Sequence, residues 1–286
     1  MSPDGPEADR PDETPERGGL GRRLRREGRG RRLKINTLSF NRIFPNLITV
    51  LALCAGLTAI RYAMAGKFEQ AVTAQVISAV LDGLDGRVAR LLRATSKFGQ
   101  ELDSLADGIS FGVCPALVLY LWTMNEAVTF GWPLCLLFAV CCVLRLARFN
   151  TMVGAPDLPA WAHNYFTGVP APAGAGLAIL PIILWLYTGN EGLRSPFVAG
   201  SVLLVAAMLM VSRVPTFAGK HIRLKPQWVV PVMILFAAVA AFLVTEPWAT
   251  LSVMGFAYLA SIPVAIMSFR RLKHAPQPES APPAHP

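Results

Sequence analysis

The sequence predicts an all-α fold: a polytopic transmembrane helix bundle of about eight spans with both termini cytoplasmic. Three observations carry that expectation. Of the 286 residues 53% are apolar and only 16% are charged, too little charged surface for a soluble domain of this length. The apolar residues gather in runs of 18 or more, long enough to cross the hydrocarbon core of a bilayer as helices. Lys and Arg concentrate in alternate connections, as the positive-inside bias requires of a chain that threads back and forth.

Residues 1–36 mix Pro, Gly, acids and Arg with almost no apolar periodicity. Such a segment buries too little surface to offset its ordering entropy, so a disordered tail is expected, and a cleavable signal peptide is not. A membrane domain follows over 37–273, and 274–286 reads as a second disordered tail. The expected spans are 45–64, 68–93, 98–123, 128–149, 168–188, 193–212, 227–245 and 248–268. The second and third are the least apolar, because charged residues sit at their facing ends. Arg93 and Lys97, Arg145 and Arg148, Arg213, Lys220, Arg223 and Lys225, and Arg270, Arg271 and Lys273 fall on the side of the N-terminal tail. The opposite connections, near 65, 125, 190 and 247, hold few basic residues, Lys67 and Arg194 among them. No repeat of 20–50 residues is present, which excludes a solenoid.

The net charge of +9 is unevenly placed, with Arg22, Arg23, Arg25, Arg26, Arg29, Arg31, Arg32 and Lys34 crowded before the first span. An Arg-rich arm suits a nucleic-acid backbone, but no aromatic interleaving or nucleic-acid motif accompanies this one. It reads instead as a cytoplasmic flank attracted to anionic lipid headgroups, with no nucleic-acid partner. Cys54, Cys114, Cys135, Cys141 and Cys142 lie in apolar segments without a CxxC pair and read as small core residues. His163, His221, His274 and His285 show no metal-ligand spacing.

The chemistry sits in residues 81–108, LDGLDGRVARLLRATSKFGQELDSLADG, where Asp82, Asp85, Asp103 and Asp107 fall within 26 residues of membrane-like sequence. A charge at the centre of a membrane helix costs roughly 2.5–3.5 kcal/mol on insertion scales, so four acids together require something positive among them. Asp82 and Asp85 are i,i+3 and share one face of the second span; Asp103 and Asp107 are i,i+4 and share one face of the third. The short polar connection between the spans makes them antiparallel neighbours, so both pairs converge near the cytoplasmic end. Oxygen ligands without His or Cys suit a hard cation, Mg²⁺ or Mn²⁺. Two such ions balance four carboxylates and suit in-line displacement at phosphorus. Gly86 and Ala89 leave room on the acidic face, Gly99 clears the partner helix one turn before Asp103, and Arg90 is within reach of a phosphate oxygen. The competing reading is plain ion pairing of Asp82 and Asp85 with Arg87, Arg90 or Arg93.

The run Asp82-x2-Asp85-Gly86-x2-Ala89-Arg90-x8-Gly99-x3-Asp103-x3-Asp107 resembles the signature of the CDP-alcohol phosphotransferases without departure in residue or spacing. PNLIT at 45–49, ELDSLADGISFGVCPA at 101–116, LRLARFN at 144–150, FTGVPAPAGAG at 166–176 and SRVPTFAGK at 212–220 are similar to the membrane phosphatidylserine synthases of that superfamily. One departure is Cys114, where such sequences carry Ala. The His-x-Lys motif of the unrelated phospholipase-D-like serine synthases is missing, since Ile222 and Arg223 follow His221.

The resemblance implies roles. Asp82, Asp85 and Asp103 are expected as metal ligands, and Asp107 as ligand and general base. Gly86, Ala89, Arg90, Ser96 and Gly99, with Asn46 and Thr49 at the start of the first span, are expected to line the CDP-lipid site. For Asn46 and Thr49 the alternative is a polar helix start at the interface. The implied reaction moves a phosphatidyl group from CDP-diacylglycerol to L-serine in the cell inner membrane, at a site facing the cytoplasm. Arg145 and Arg148, i,i+3 on the fourth span, are candidates for the serine carboxylate; ordinary positive-inside flanking is the alternative. Glycerol 3-phosphate, inositol phosphate or choline remain alternative acceptors, and a cation transporter is the alternative from another class. A homodimer is implied by the resemblance alone.

Overall fold

The computed structural model describes residues 40–92, 94–152, 165–217 and 228–273. The expectations placed on the two tails, on Arg93, on Lys220, Arg223 and Lys225, and on the four histidines lie outside the described residues.

Helix α1 (Phe40–Met64) begins five residues before the expected span and carries Pro45 inside it rather than at its start. Without an N–H, Pro45 gives up one helical hydrogen bond, and Thr49 Oγ1 reaches back to the Pro45 carbonyl at 3.2 Å. A turn at Gly66, held at φ 71°, a left-handed conformation that glycine adopts without a Cβ clash, leads into α2 (Phe68–Leu91). The two helices pack along most of their length. Ala52, Ala59 and Ala63 on α1 and Ala71, Ala74 and Ser78 on α2 are buried, and small residues of this kind let membrane helices approach closely. Ser78 Oγ donates across the seam to the Ala52 carbonyl at 2.7 Å.

The third expected span is one helical run with a wider turn in its middle. Helix α3 (Lys97–Asp107) passes through a π-helical segment (Gly108–Val113) into α4 (Cys114–Trp122). Such widened turns disturb the regular hydrogen-bond ladder, and here Gln75 Nε2 on α2 donates to the Ser110 carbonyl at 2.6 Å. Helix α5 (Gly131–Met152) follows. The fifth expected span is broken into α6 (Ala171–Ala178) and α7 (Leu180–Thr188), bent by 43°. Pro181 near the start of α7 supplies a cause for the break. Then come α8 (Pro196–Val211), α9 (Val229–Thr245) and α10 (Pro247–Lys273).

The all-α expectation needs one amendment. Strands β1 (Tyr165–Thr167) and β2 (Pro215–Phe217) pair antiparallel, with Phe166 opposite Thr216. Gly168 closes this ribbon at φ 83°, and a Cβ there would stand 2.7 Å from the Met210 carbonyl oxygen. Thr216 Oγ1 donates to the Gly168 carbonyl at 2.9 Å, and the ribbon packs on α10. Three-residue strands are too short for period-two patterning to reveal.

Among the described residues four helical runs are long and apolar enough to cross a membrane: Ile43–Met64, Lys97–Trp122, Gly131–Thr151 and Pro247–Ser268, with a fifth if the bent α6–α7 pair is one span. Helices α8 and α9 are apolar but shorter, and α2 does not meet the same measure. Its 24 residues include Glu69, Asp82, Asp85, Arg87 and Arg90, so the acids that mark it as interesting also lower its hydropathy. The chain is an integral membrane protein by these spans. Its buried core includes Trp122, Phe111, Phe138, Leu119 and Met210, whereas α9 buries no residue and packs against α10.

Candidate active site

All four aspartates lie at the meeting of α2 and α3, as the i,i+3 and i,i+4 spacings require. Asp82, Asp85 and Asp103 each offer a carboxylate oxygen to a group whose atoms all lie within 4.8 Å of one another. Asp107 joins the group through Asp82, whose carboxyl is within hydrogen-bonding reach. Asp85 is the most buried of the four, at 4% exposure, and among the described residues it alone is hydrogen-bonded to α1: Thr49 Oγ1 donates to Asp85 Oδ2 at 2.6 Å.

For Arg87 and Arg90 the ion-pair reading does not hold, while Arg93 lies outside the described residues. Arg87 and Arg90 are exposed, and among the described residues neither pairs with an aspartate. Arg90 Nε donates instead to the Gly86 carbonyl of its own helix at 3.0 Å. Asp107 Oδ1 is buried without a hydrogen-bond partner. A hard all-oxygen donor set with a buried acceptor left over fits a divalent cation. The donor chemistry leaves Mg²⁺ and Mn²⁺ undistinguished.

Beside the acids opens a small cleft of about 120 Å³. Asn46, Thr49, Gly86, Ala89, Ser96 and Gly99 line it together with Asp85 and Asp103, so six of the seven residues expected around the CDP moiety share one cavity. Arg90 is not among the lining residues. Pro45, Ala94, Thr95 and Gln100 complete the wall; sequence reasoning missed these, although Thr95 adjoins Ser96 in the short α2–α3 connection.

The glycines have different roles. A Cβ at Gly86 would meet nothing within 4 Å, so that position opens the cleft, as expected. A Cβ at Gly99 would stand 2.8 Å from Asn46 Oδ1 and 3.1 Å from Ser96 Oγ. Gly99 therefore makes room for a side chain of α1 rather than for open space. Ser96 is also the N-cap of α3, its hydroxyl accepting the Gly99 N–H at 3.0 Å, a role that Ser fills widely at helix starts.

The two arginines of the fourth span separate. Arg148 Nη1 donates to the Val211 carbonyl at 2.8 Å, tying the end of α5 to the end of α8. Arg145 turns inward: its Nε is buried without a partner, and it lies within electrostatic range of Asp107, Cys142 and Tyr258. Cys114, Cys135, Cys141 and Cys142 are buried free thiols that pack as small core residues, whereas Cys54 is exposed.

Fold and site together define a class: an integral membrane protein carrying a carboxylate cluster of the kind that holds a hard divalent cation beside an open cleft. Residues 42–272 match the family model described as CDP-alcohol phosphatidyltransferase, and the chain belongs to that family. A CDP-diacylglycerol–serine O-phosphatidyltransferase of Mycobacterium bovis is 40% identical over 235 residues, 82% of this chain and 82% of its own length. A protein of the same description from Helicobacter pylori is 37% identical over 220 residues, 76% of this chain and 88% of its own. An archaetidylserine synthase of Methanothermobacter thermautotrophicus is 31% identical over 175 residues, 59% and 67% of the two chains.

Proposed function

We propose that this chain transfers the phosphatidyl group of CDP-diacylglycerol to L-serine, releasing CMP and forming phosphatidylserine. The observation that carries the chemistry is the cluster of Asp82, Asp85 and Asp103, two of which, Asp85 and Asp103, line a cleft walled by Asn46, Thr49, Gly86 and Gly99. The acceptor follows from the relatives, since those covering most of the chain are described as serine transferases.

Asp82, Asp85, Asp103 and Asp107 would hold divalent metal, Mg²⁺ or Mn²⁺, as two ions. When bound, the metal supplies positive charge against the diphosphate. The cleft receives the CDP moiety, with Gly86 and Ala89 admitting it and Asn46, Thr49, Ser96 and Gly99 shaping its far wall. Arg90, exposed at the rim, reaches a phosphate oxygen by leaving its own helix carbonyl for another rotamer. Asp107 takes the proton of the serine hydroxyl. That oxygen bonds to the phosphorus next to the diacylglycerol as the bond to the CMP oxygen breaks, and CMP leaves with the electron pair. A carboxylate is a weak base, so alignment of the hydroxyl on phosphorus supplies much of the rate. Arg145 takes the serine carboxylate; Arg148, held by Val211, steadies the α5–α8 junction and adds charge at the site mouth.

The same reading places all eight helical runs across or within the bilayer, with both termini and the acids on the cytoplasmic side of the cell inner membrane. Basic connections on that face support the orientation. The Arg-rich tail fits attraction to anionic headgroups, and the family supports a homodimer. A direct test follows CMP release by purified protein in detergent with CDP-diacylglycerol, Mg²⁺ or Mn²⁺, and a panel of alcohols. Metal-dependent release that requires L-serine supports the reading. Release with glycerol 3-phosphate, inositol phosphate or choline in its place overturns the acceptor, and no release with any alcohol favours a cation pathway.

A further inference from the structure

Pro115 stands at the second position of α4, inside a helical run that continues past it, and has no N–H to donate. Along the π-helical segment the ladder reaches one residue further back than in an α-helix, and the Cys114 N–H goes to the Ile109 carbonyl. The next rung would join residue 115 to the Ser110 carbonyl, and Pro115 cannot make it. Gln75 Nε2 of α2 takes its place, donating to that carbonyl at 2.6 Å. Both residues are buried, Gln75 at 4% and Ser110 at 2% exposure. Inside a bilayer protein neither water nor lipid would satisfy the carbonyl instead, so a side chain of α2 replaces a missing rung of its neighbour.

The position of this tie matters more than its energy. Gln75, Ser78, Asp82 and Asp85 recur at intervals of three, four and three residues, which keeps them on one face of α2. The face that grips Ser110 is therefore the face that presents Asp82 two turns further on. Ser110 in turn lies one turn beyond Asp107, and Asp107 is the residue that leads into the π-helical segment. Neighbours on two other helices crowd the same segment. A Cβ on Gly56 of α1 would stand 3.1 Å from Ser110 Oγ and 3.4 Å from Ser110 Cα, and a Cβ on Gly112 would stand 3.1 Å from Cys142 Cβ of α5. The trio with carboxylate oxygens within 4.8 Å of one another is Asp82, Asp85 and Asp103. How far Asp107 reaches toward that trio depends on where the segment after it is held.

We infer that Gln75 is a positioning residue: by supplying the rung that Pro115 lacks, it fixes the segment after Asp107 against the acid-bearing face of α2 and so sets the reach of the Asp107 carboxylate. The inference rests on the role given to Asp107 in the transfer reading above and deepens it. Gln75 touches neither substrate nor metal in this account and acts through the backbone of α3 alone.

The test starts from Gln75→Met, which keeps length and volume and removes the amide. Gln75 Oε1 has no partner among the described residues, so the bond to Ser110 is the one this substitution deletes. In the full chain in detergent, kcat for CMP release should fall about tenfold to a hundredfold, as for a reacting group moved by a fraction of an ångström to an ångström. Equilibrium binding of CDP-diacylglycerol should stay within about twofold. In the Asp107→Asn background the same substitution should cost less than about twofold in kcat, because the carboxylate it positions is gone. Adding Pro115→Ala to Gln75→Met returns an N–H to the run but no tie to α2, so kcat should remain low. Should Gln75→Met fail to accumulate as folded protein, Gly56→Ala displaces the same segment with Gln75 in place and carries the same comparison across the two backgrounds. An unchanged kcat, equal losses with and without Asp107, or full recovery on adding Pro115→Ala overturns the assignment and leaves the transfer reading standing. If Asp107→Asn alone leaves kcat unchanged, the role of Asp107 falls, and this assignment with it.

Discussion

Thr49 and Asp85 stand 36 positions apart in the chain, and a hydrogen bond of 2.6 Å joins them. Asp85 is the most buried of the four acids, and this hydroxyl links it to α1, the helix that also supplies Asn46 to the cleft. A donor on a ligand carboxylate fixes its orientation, and losing such a partner typically costs about 10–100-fold in metal affinity or activity. We expect Thr49→Val, which preserves the branched shape, to raise the Mn²⁺ concentration for half-maximal turnover about tenfold. A metal titration of CMP release checks this. An unchanged titration with a higher KM for CDP-diacylglycerol would make Thr49 a contact to the nucleotide alone.

The approach of Asn46 to Gly99 gives a second prediction. An alanine methyl at 99 would come within 2.8 Å of Asn46 Oδ1, closer than van der Waals contact, so α1 and α3 must separate or Asn46 must turn away. Gly99→Ala should raise KM for CDP-diacylglycerol several-fold or more. Asn46→Ala in the same chain removes the clash and should restore part of the loss, so that the two effects are not additive. If the double variant is simply the sum of the singles, the clash is not the cause.

Gly86 is the contrasting case. A Cβ at this position would meet nothing within 4 Å, and the residue lines the cleft, so a larger side chain meets ligand rather than protein. Gly86→Leu should leave the melting temperature within a degree or two and weaken CDP-diacylglycerol by about tenfold or more, since overlap with a bound group is not relieved by repacking. A drop in melting temperature that accounts for the lost activity would refute this.

How far these positions are legible in the sequence differs from one to another. The i,i+3 and i,i+4 aspartates of α2 and α3 reveal themselves because helical spacing alone places each pair on a face, and the short connection forces the pairs together. The open position at Gly86 follows from the same face. The Asn46–Gly99 contact does not, because it depends on how α1 crosses α3, and a glycine on a predicted acidic face reads equally well as room for ligand. Helix α1 starts earlier than its sequence suggests, since Pro45 favours a helix start and nothing local shows that the preceding turn is also helical. The π-helical segment after Asp107 and the β1–β2 ribbon escape periodicity altogether, being only six and three residues long. Arg145 and Arg148 share a spacing, and only packing separates the one turned inward from the one spanning to α8.

Asp107 has two assigned roles, and a substitution can part them. Asp107→Asn keeps size and an oxygen ligand but takes no proton at neutral pH. If it acts as general base, kcat should fall by about 10²–10⁴-fold, while binding of CDP-diacylglycerol changes by far less. Equilibrium binding of the CDP-lipid beside steady-state turnover checks this. Parallel loss of binding and turnover would reduce Asp107 to a ligand only.

The two arginines of α5 give the last prediction, because their contacts assign them different work from the same spacing. Arg148 holds the Val211 carbonyl at 2.8 Å, a charge-assisted bond between helix ends worth about 1.5–3 kcal/mol when buried, and this one is only partly buried. Arg148→Gln should therefore lower the melting temperature by a few degrees and leave KM for L-serine nearly unchanged. Among the described residues Arg145 makes no such bond, and its Nε is buried without a partner. A lysine there keeps the charge but loses the planar fork that matches a carboxylate, so Arg145→Lys should raise KM for L-serine about tenfold with little change in melting temperature. Measuring both quantities on both variants separates the roles: if Arg148→Gln raises KM for L-serine as strongly as Arg145→Lys does, the acceptor carboxylate is shared between them, and the inward turn of Arg145 is not what selects it.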